Sequence, residues 1–144
     1  MNAGDFELDK ELLDGFLTDS FEIMATLKED LNSFTFTQDP KAFEQFGQGI
    51  DRIMGAALTL GFKNTGELAK LGKDIGYKAS QLTGIDQLLT IQSVLSQLLK
   101  EMERELKKIK IGETFGSDEI SNLLVKLSDI NQSLGNLRTS VKVE

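Results

Sequence analysis

The chain has 144 residues, with 16 Lys and Arg against 23 Asp and Glu, for a formal net charge of −7. It contains neither Cys nor His, which excludes disulfides, thiolate and imidazole metal ligands, and cysteine nucleophiles. It also excludes any histidine base titrating near neutrality. The acidic balance argues against a nucleic-acid backbone as partner, since such binding rests on clustered Lys and Arg.

A chain of this length fits one domain with a core of its own. Its 40% hydrophobic and 27% charged residues are ordinary for a soluble globular protein. The opening MNAGDFELDKELL lacks the basic and apolar regions of a signal peptide. No apolar run approaches the length of a membrane span, so a cytoplasmic protein with no membrane partner is expected.

Apolar residues recur at three- and four-residue steps through most of the chain, which predicts helix and no strand. The first helix is expected from about Asp9 to Phe34, with Leu13, Phe16, Leu17, Phe21, Met24, Leu27 and Leu31 on one broad face. Gly15 and Thr18 are candidate points for a break into a short lead helix and a longer one. In the turn TFTQDP, Asp39 can cap the next helix and Pro40 suits its first position. That second helix is expected to run from about Pro40 to Leu60, with Gly61 as its stop.

A third helix is expected from about Thr65 to Leu82, carrying Leu68, Leu71 and Ile75. A fourth follows from about Asp86 to Ile109. Its segment KEMERELKKIK (Lys100 to Lys110) mixes both signs, and predicts a solvated face with i,i+4 ion pairs. After KIGETFGSD, Ser117 can cap a fifth helix to about Arg138, with Asp118 and Glu119 well placed for its dipole. Short loops between long amphipathic helices imply antiparallel neighbours. The expected fold is all-α: an antiparallel, up-and-down four-helix bundle over about 9–110 with an additional C-terminal helix over about 117–138, in one domain of residues 1–144.

The stretch GIDRIMGAALTLGF, Gly49 to Phe62, is unusual for its small residues. Helical spacing puts Ile50, Ile53, Ala57 and Leu60 on a core face. Asp51, Gly55 and Leu58 fall on another face, with Met54 at its edge. Glycine costs a helix up to about 1 kcal/mol relative to alanine. Gly55, one turn after Asp51, is therefore explained either by close helix packing or by a partner that must reach Asp51 past the backbone.

DRIMGAALTLGF resembles the signature of histidine phosphotransfer domains, H-x-[LI]-K-G-x-A-x-x-[LF]-G-[FA]. The likeness is closest to the N-terminal phosphotransfer domain of chemotaxis histidine kinases. Ile53, Gly55, Ala57, Thr59, Gly61 and Phe62 fit the pattern, and Leu68 and Leu71 continue the apolar pair of the following helix. Upstream, FLTDSFEIMATLKEDL is similar to the leading helix of that family. The resemblance covers roughly residues 8–110 and implies a four-helix bundle.

Two departures bear on function. Asp51 stands where the family has its phospho-accepting histidine, and Met54 where it has the lysine that helps hold the phosphoryl group. A carboxylate does not relay phosphate by itself, because aspartyl phosphorylation in receiver domains needs a magnesium-binding acidic pocket and a lysine.

The resemblance with these departures implies a non-catalytic, phosphotransfer-like protein of bacterial two-component, chemotaxis-type signalling. It would bind a response-regulator receiver domain as adaptor or decoy without phosphotransfer. The expected receiver-binding face is Asp51, Arg52, Met54, Gly55 and Leu58, with Asp51 as a degenerate phosphorylation site. Arg52 is the nearest basic residue in sequence to temper the Asp51 charge.

A second reading is an enzyme that removes phosphate from a receiver's aspartate. Two E-x-x-N pairs, Glu29 with Asn32 and Glu119 with Asn122, resemble the motif of one chemotaxis phosphatase family. Asn122 is the better placed of the two, at the start of the last helix. A third reading is structural. The last helix carries Ile120, Leu123, Leu124, Leu127, Ile130, Leu134 and Leu137, a stripe that either covers the bundle or pairs with a second copy in a homodimer. Carboxylates are scattered and no loop has calcium-binding spacing, so no metal and no cofactor are expected.

Overall fold

The computed structural model describes residues 10–112 and 118–143, and the side chains of 10–112 and 120–134. Among the described residues five helices follow in chain order: α1 Lys10–Thr37, α2 Lys41–Leu60, α3 Lys63–Ala79, α4 Ile85–Ile111 and α5 Asp118–Val143. No strand occurs among the described residues, and no helix there is long and apolar enough to cross a membrane.

Local chemistry sets the helix ends. α1 stops where Gln38 takes a left-handed φ of 53°. The Lys41 N–H donates to Asp39 Oδ1 at 3.0 Å, giving a first-turn amide its partner. Pro40, at φ −59°, is already helical. Gly61 ends α2 with φ 86°, and the Phe62 N–H reaches back to the Ala57 carbonyl at 2.8 Å. This is the Schellman arrangement, in which a residue without a Cβ turns the chain. Because the reversal is so tight, α3 begins at Lys63, ahead of the Thr65 start expected from its apolar pattern. α1 runs unbroken through both candidate points, Gly15 and Thr18. Gly15 faces open space and costs the helix only about 1 kcal/mol, while the neighbouring Phe16 and Leu17 are buried and hold the backbone in register. The predicted Ser117 cap lies outside the described residues.

Among α1 to α4, neighbouring helices run antiparallel, as the order of their contacts requires. Between α1 and α2, Phe34 meets Phe43 with ring centroids 4.9 Å apart, Leu27 lies over Gly49, and Phe16 stacks on Phe62 at 5.3 Å. Between α2 and α3, Phe43 meets Gly76, Ile50 meets Gly72 and Leu58 meets Gly66. Between α3 and α4, Asn64 reaches Glu105 and Gly72 faces Leu98. α4 closes the ring on α1: Gln92 Nε2 donates to the Leu31 carbonyl and Thr35 Oγ1, and Lys28 pairs with Glu103 at 3.6 Å. Phe34, Phe43, Phe46, Ile50, Ile53, Leu68, Ile75, Leu95 and Leu98 fill the space between the four helices and are fully buried.

α5 lies outside this ring and packs on α3. Ile120, Leu127 and Leu134, spaced two turns apart, are buried on that surface. Lys78 Nζ donates to the Asn131 carbonyl at 3.0 Å and to its Oδ1 at 2.8 Å. The apolar stripe noticed in the sequence thus packs on its own bundle, with Leu123, Leu124 and Ile130 partly buried against it and Leu137 outside the described side chains.

The mixed-charge segment of α4 forms the expected near-neighbour pairs, with Lys107 to Glu103 at 3.6 Å and Arg104 to Glu101 at 3.2 Å. Glu105 departs from the solvated face expected there. It is fully buried, with Lys108 Nζ at 3.4 Å and Asn64 Nδ2 at 3.5 Å. Its place follows from helical spacing, since it continues the Leu98 and Met102 row into the core.

Candidate functional site: the exposed half of α2

The site is built by the close approach of α2 and α3. A Cβ on Gly76 would lie 2.9 Å from the Phe43 carbonyl oxygen, and one on Gly72 would lie 2.8 Å from Ile50 Cδ1. These α3 glycines therefore bring the two backbones together. Lys73, between them in sequence, then meets Asp51 across the seam, Nζ to Oδ1, at 2.9 Å. The hydrogen bond to Asp51 pushes the Lys73 ammonium above its usual range. Partial desolvation opposes this, and the charges of Asp51, Tyr77 and Asp74 add to it. Both side chains remain reachable from solvent, at 44% exposure for Asp51 and 30% for Lys73.

One turn further along α2, Gly55 has no neighbour within 4 Å of where a Cβ would stand. Close helix packing, one of the two explanations for this glycine, is therefore absent. Packing instead accounts for Gly47, against the Tyr77 ring, and Gly49, against Leu27. Leu58 follows on the same side, 49% exposed, with its side chain lying over Gly66. Met54 is half-buried and packs on the core. Thr59 Oγ1 donates to the Gly55 carbonyl at 2.8 Å, which occupies a backbone acceptor on the bare turn.

Asp51, Gly55 and Leu58 thus share one strip, as helical spacing predicted, with Met54 at its inner edge. Arg52 does not join them. It lines a crevice between α1 and α2 with Asp19, Glu22 and Thr26. The group that meets Asp51 is Lys73, which the sequence reading missed. The available signal was its position beside Gly72 in a helix whose Gly66, Ala69, Gly72 and Gly76 mark a close-packed seam.

The phosphatase candidates are elsewhere. Glu29 and Asn32 are exposed on α1. Between them, burial and the Glu29 charge hold the Asp30 carboxyl above its ordinary value. Asn122 is exposed on α5, and the Glu119 side chain lies outside the described residues. A crevice of about 670 Å³ between α4 and α5 is lined mainly by polar residues, among them Ser93, Gln97, Lys100 and Glu101, with Leu123 from α5. Among the described residues no three Asp, Glu, His or Cys converge as a metal site would require.

Chemically, the α2 strip offers a carboxylate already paired with an ammonium, a bare turn of backbone and an exposed leucine. Such a surface can be contacted, and it has no imidazole to phosphorylate. No protein-family model, curated protein or solved structure matches the chain.

Proposed function

We propose that this chain is a phosphotransfer-like docking module of cytoplasmic two-component, chemotaxis-type signalling. It binds a response-regulator receiver domain through the Asp51, Gly55 and Leu58 strip, as adaptor or decoy, without transferring phosphate. One observation carries this reading. Gly55 is the glycine of α2 that faces open space, although glycine costs a helix up to about 1 kcal/mol and no contact within the chain offsets that cost. A partner that closes over the helix backbone offsets it, and Gly55, unlike the equally open Gly15, lies beside an exposed leucine and a solvent-reachable ion pair. The resemblance of DRIMGAALTLGF to the phosphotransfer signature supplies the class of partner, and the Asp51 and Met54 departures remove the chemistry.

The test is calorimetric titration of the chain with purified receiver domains from its source organism, beside the Gly55→Arg variant. Binding that Gly55→Arg abolishes is expected, with no phosphate appearing on the chain when the receiver is supplied phosphorylated. Failure to bind any receiver, or binding indifferent to Gly55→Arg, overturns the reading. Accelerated loss of receiver phosphate that disappears in Asn122→Ala would put the phosphatase in its place.

A further inference from the structure

The docking strip is flanked by a row of cations on a molecule that is acidic as a whole. Helices α2 and α3 together carry six Lys and Arg against four Asp and Glu, in a chain whose net charge is −7. α1 carries two against six. On α3, Lys63, Gly66, Lys70 and Lys73 follow one another at three- and four-residue steps, so they form one stripe. Gly66 lies under Leu58 and Lys73 pairs with Asp51, so this stripe borders the strip along its length. Lys63 is 81% exposed and holds Glu67 only loosely, at 3.9 Å. Lys70 is exposed and has no ion-pair partner among the described residues.

We infer that Lys63, Lys70 and Lys73 form the part of the docking surface that recognises clustered carboxylates on the partner, and that Asp51 restrains this recognition by occupying Lys73 in the free protein. The inference rests on the receiver reading, in which the partner presents an acidic pocket. On docking, a partner carboxylate takes the place of Asp51 at Lys73 Nζ, and the bare turn at Gly55 lets the pocket rim come close enough for that exchange. Complementary charge of this kind raises the association rate and selects among partners. A pair as open to solvent as Lys73 with Asp51, 30% and 44% exposed, is weak enough to be exchanged. Asp51 thus acts as a positioning residue that lowers affinity.

Calorimetry with a receiver domain that binds the wild-type chain, in magnesium-free buffer at low and at high salt, tests this directly. Lys70→Gln and Lys73→Gln each weaken binding by about three- to tenfold at low salt, and the loss shrinks at high salt. Asp51→Asn tightens binding by about two- to fivefold, and this gain vanishes in the Lys73→Gln background, as expected when Asp51 acts through Lys73. Weaker or unchanged binding by Asp51→Asn overturns the inference. So does indifference to both lysine substitutions while Gly55→Arg still blocks the complex, and the docking reading survives that result. If no receiver binds, both readings fall together.

Discussion

Gly55 and Gly76 carry the same side chain under opposite constraints. The space around Gly55 is empty, whereas a methyl group on Gly76 would press on the Phe43 carbonyl oxygen from 2.9 Å, and a backbone atom cannot swing aside. Gly55→Ala is therefore expected to raise stability by up to about 1 kcal/mol, and Gly76→Ala to lower it by about 2 kcal/mol; urea unfolding of both variants measures this. A stability loss in Gly55→Ala would mean that something packs there.

Asp30 supplies a pH test. Its carboxyl is held above the ordinary value of 3.8, by burial first and by the Glu29 charge second, so the folded chain holds that proton more tightly than the unfolded one does. Stability then falls as pH rises through the raised value, and the penalty is complete at neutrality. Asp30→Asn should melt higher than wild type at pH 7 and lose that advantage below the ordinary Asp value, as thermal melts across pH would show. At this scale the strip of Asp51, Gly55 and Leu58 was legible from helical spacing alone. The partner of Asp51 was not. Successive residues on a helix point about 100° apart, so Arg52 was the wrong place to look, and Lys73 arrives from a helix whose rotation depends on the glycine seam.

Helices were legible to within a few residues wherever a residue enforces the boundary. Asp39, Pro40 and Gly61 were identified with their roles because capping and left-handed turns depend on local chemistry. The unbroken course of α1 through Gly15 was not, because burial of Phe16 and Leu17 outweighs one glycine and only tertiary packing reveals it. The same logic applies to α5, whose stripe was evident while its seat was not. Leu127 is fully buried, so Leu127→Ala is expected to cost about 3 kcal/mol. Val125→Ala, at a position 62% exposed, should stay within about 0.5 kcal/mol of wild type. Chemical denaturation of the two variants checks both; equal effects would mean that α5 does not sit on α3 through Leu127.

In the molecule as a whole, α1 to α4 close a ring in which every member has two neighbours, while α5 leans on α3. The four-helix arrangement was legible because short connections leave antiparallel packing as the economical solution. Glu105 was misjudged as solvated because its neighbours in sequence are charged, although its spacing from Leu98 and Met102 places it in the core row. Glu105→Ala removes a buried carboxylate from Lys108 and Asn64 and leaves a cavity, for an expected loss of about 3 kcal/mol. Glu105→Gln retains a partner for Asn64 and should lose about 1 kcal/mol by the same measurement. The ring with its single outlying helix also predicts two tiers of amide hydrogen exchange. Amides facing the core in α2 and α3 are released when the ring comes apart, whereas those between residues 120 and 134 are released whenever α5 lifts away alone. Substituting Lys78 by Met deletes both hydrogen bonds to Asn131 and should speed deuterium uptake in that segment while leaving the ring's slowest amides nearly as slow as before.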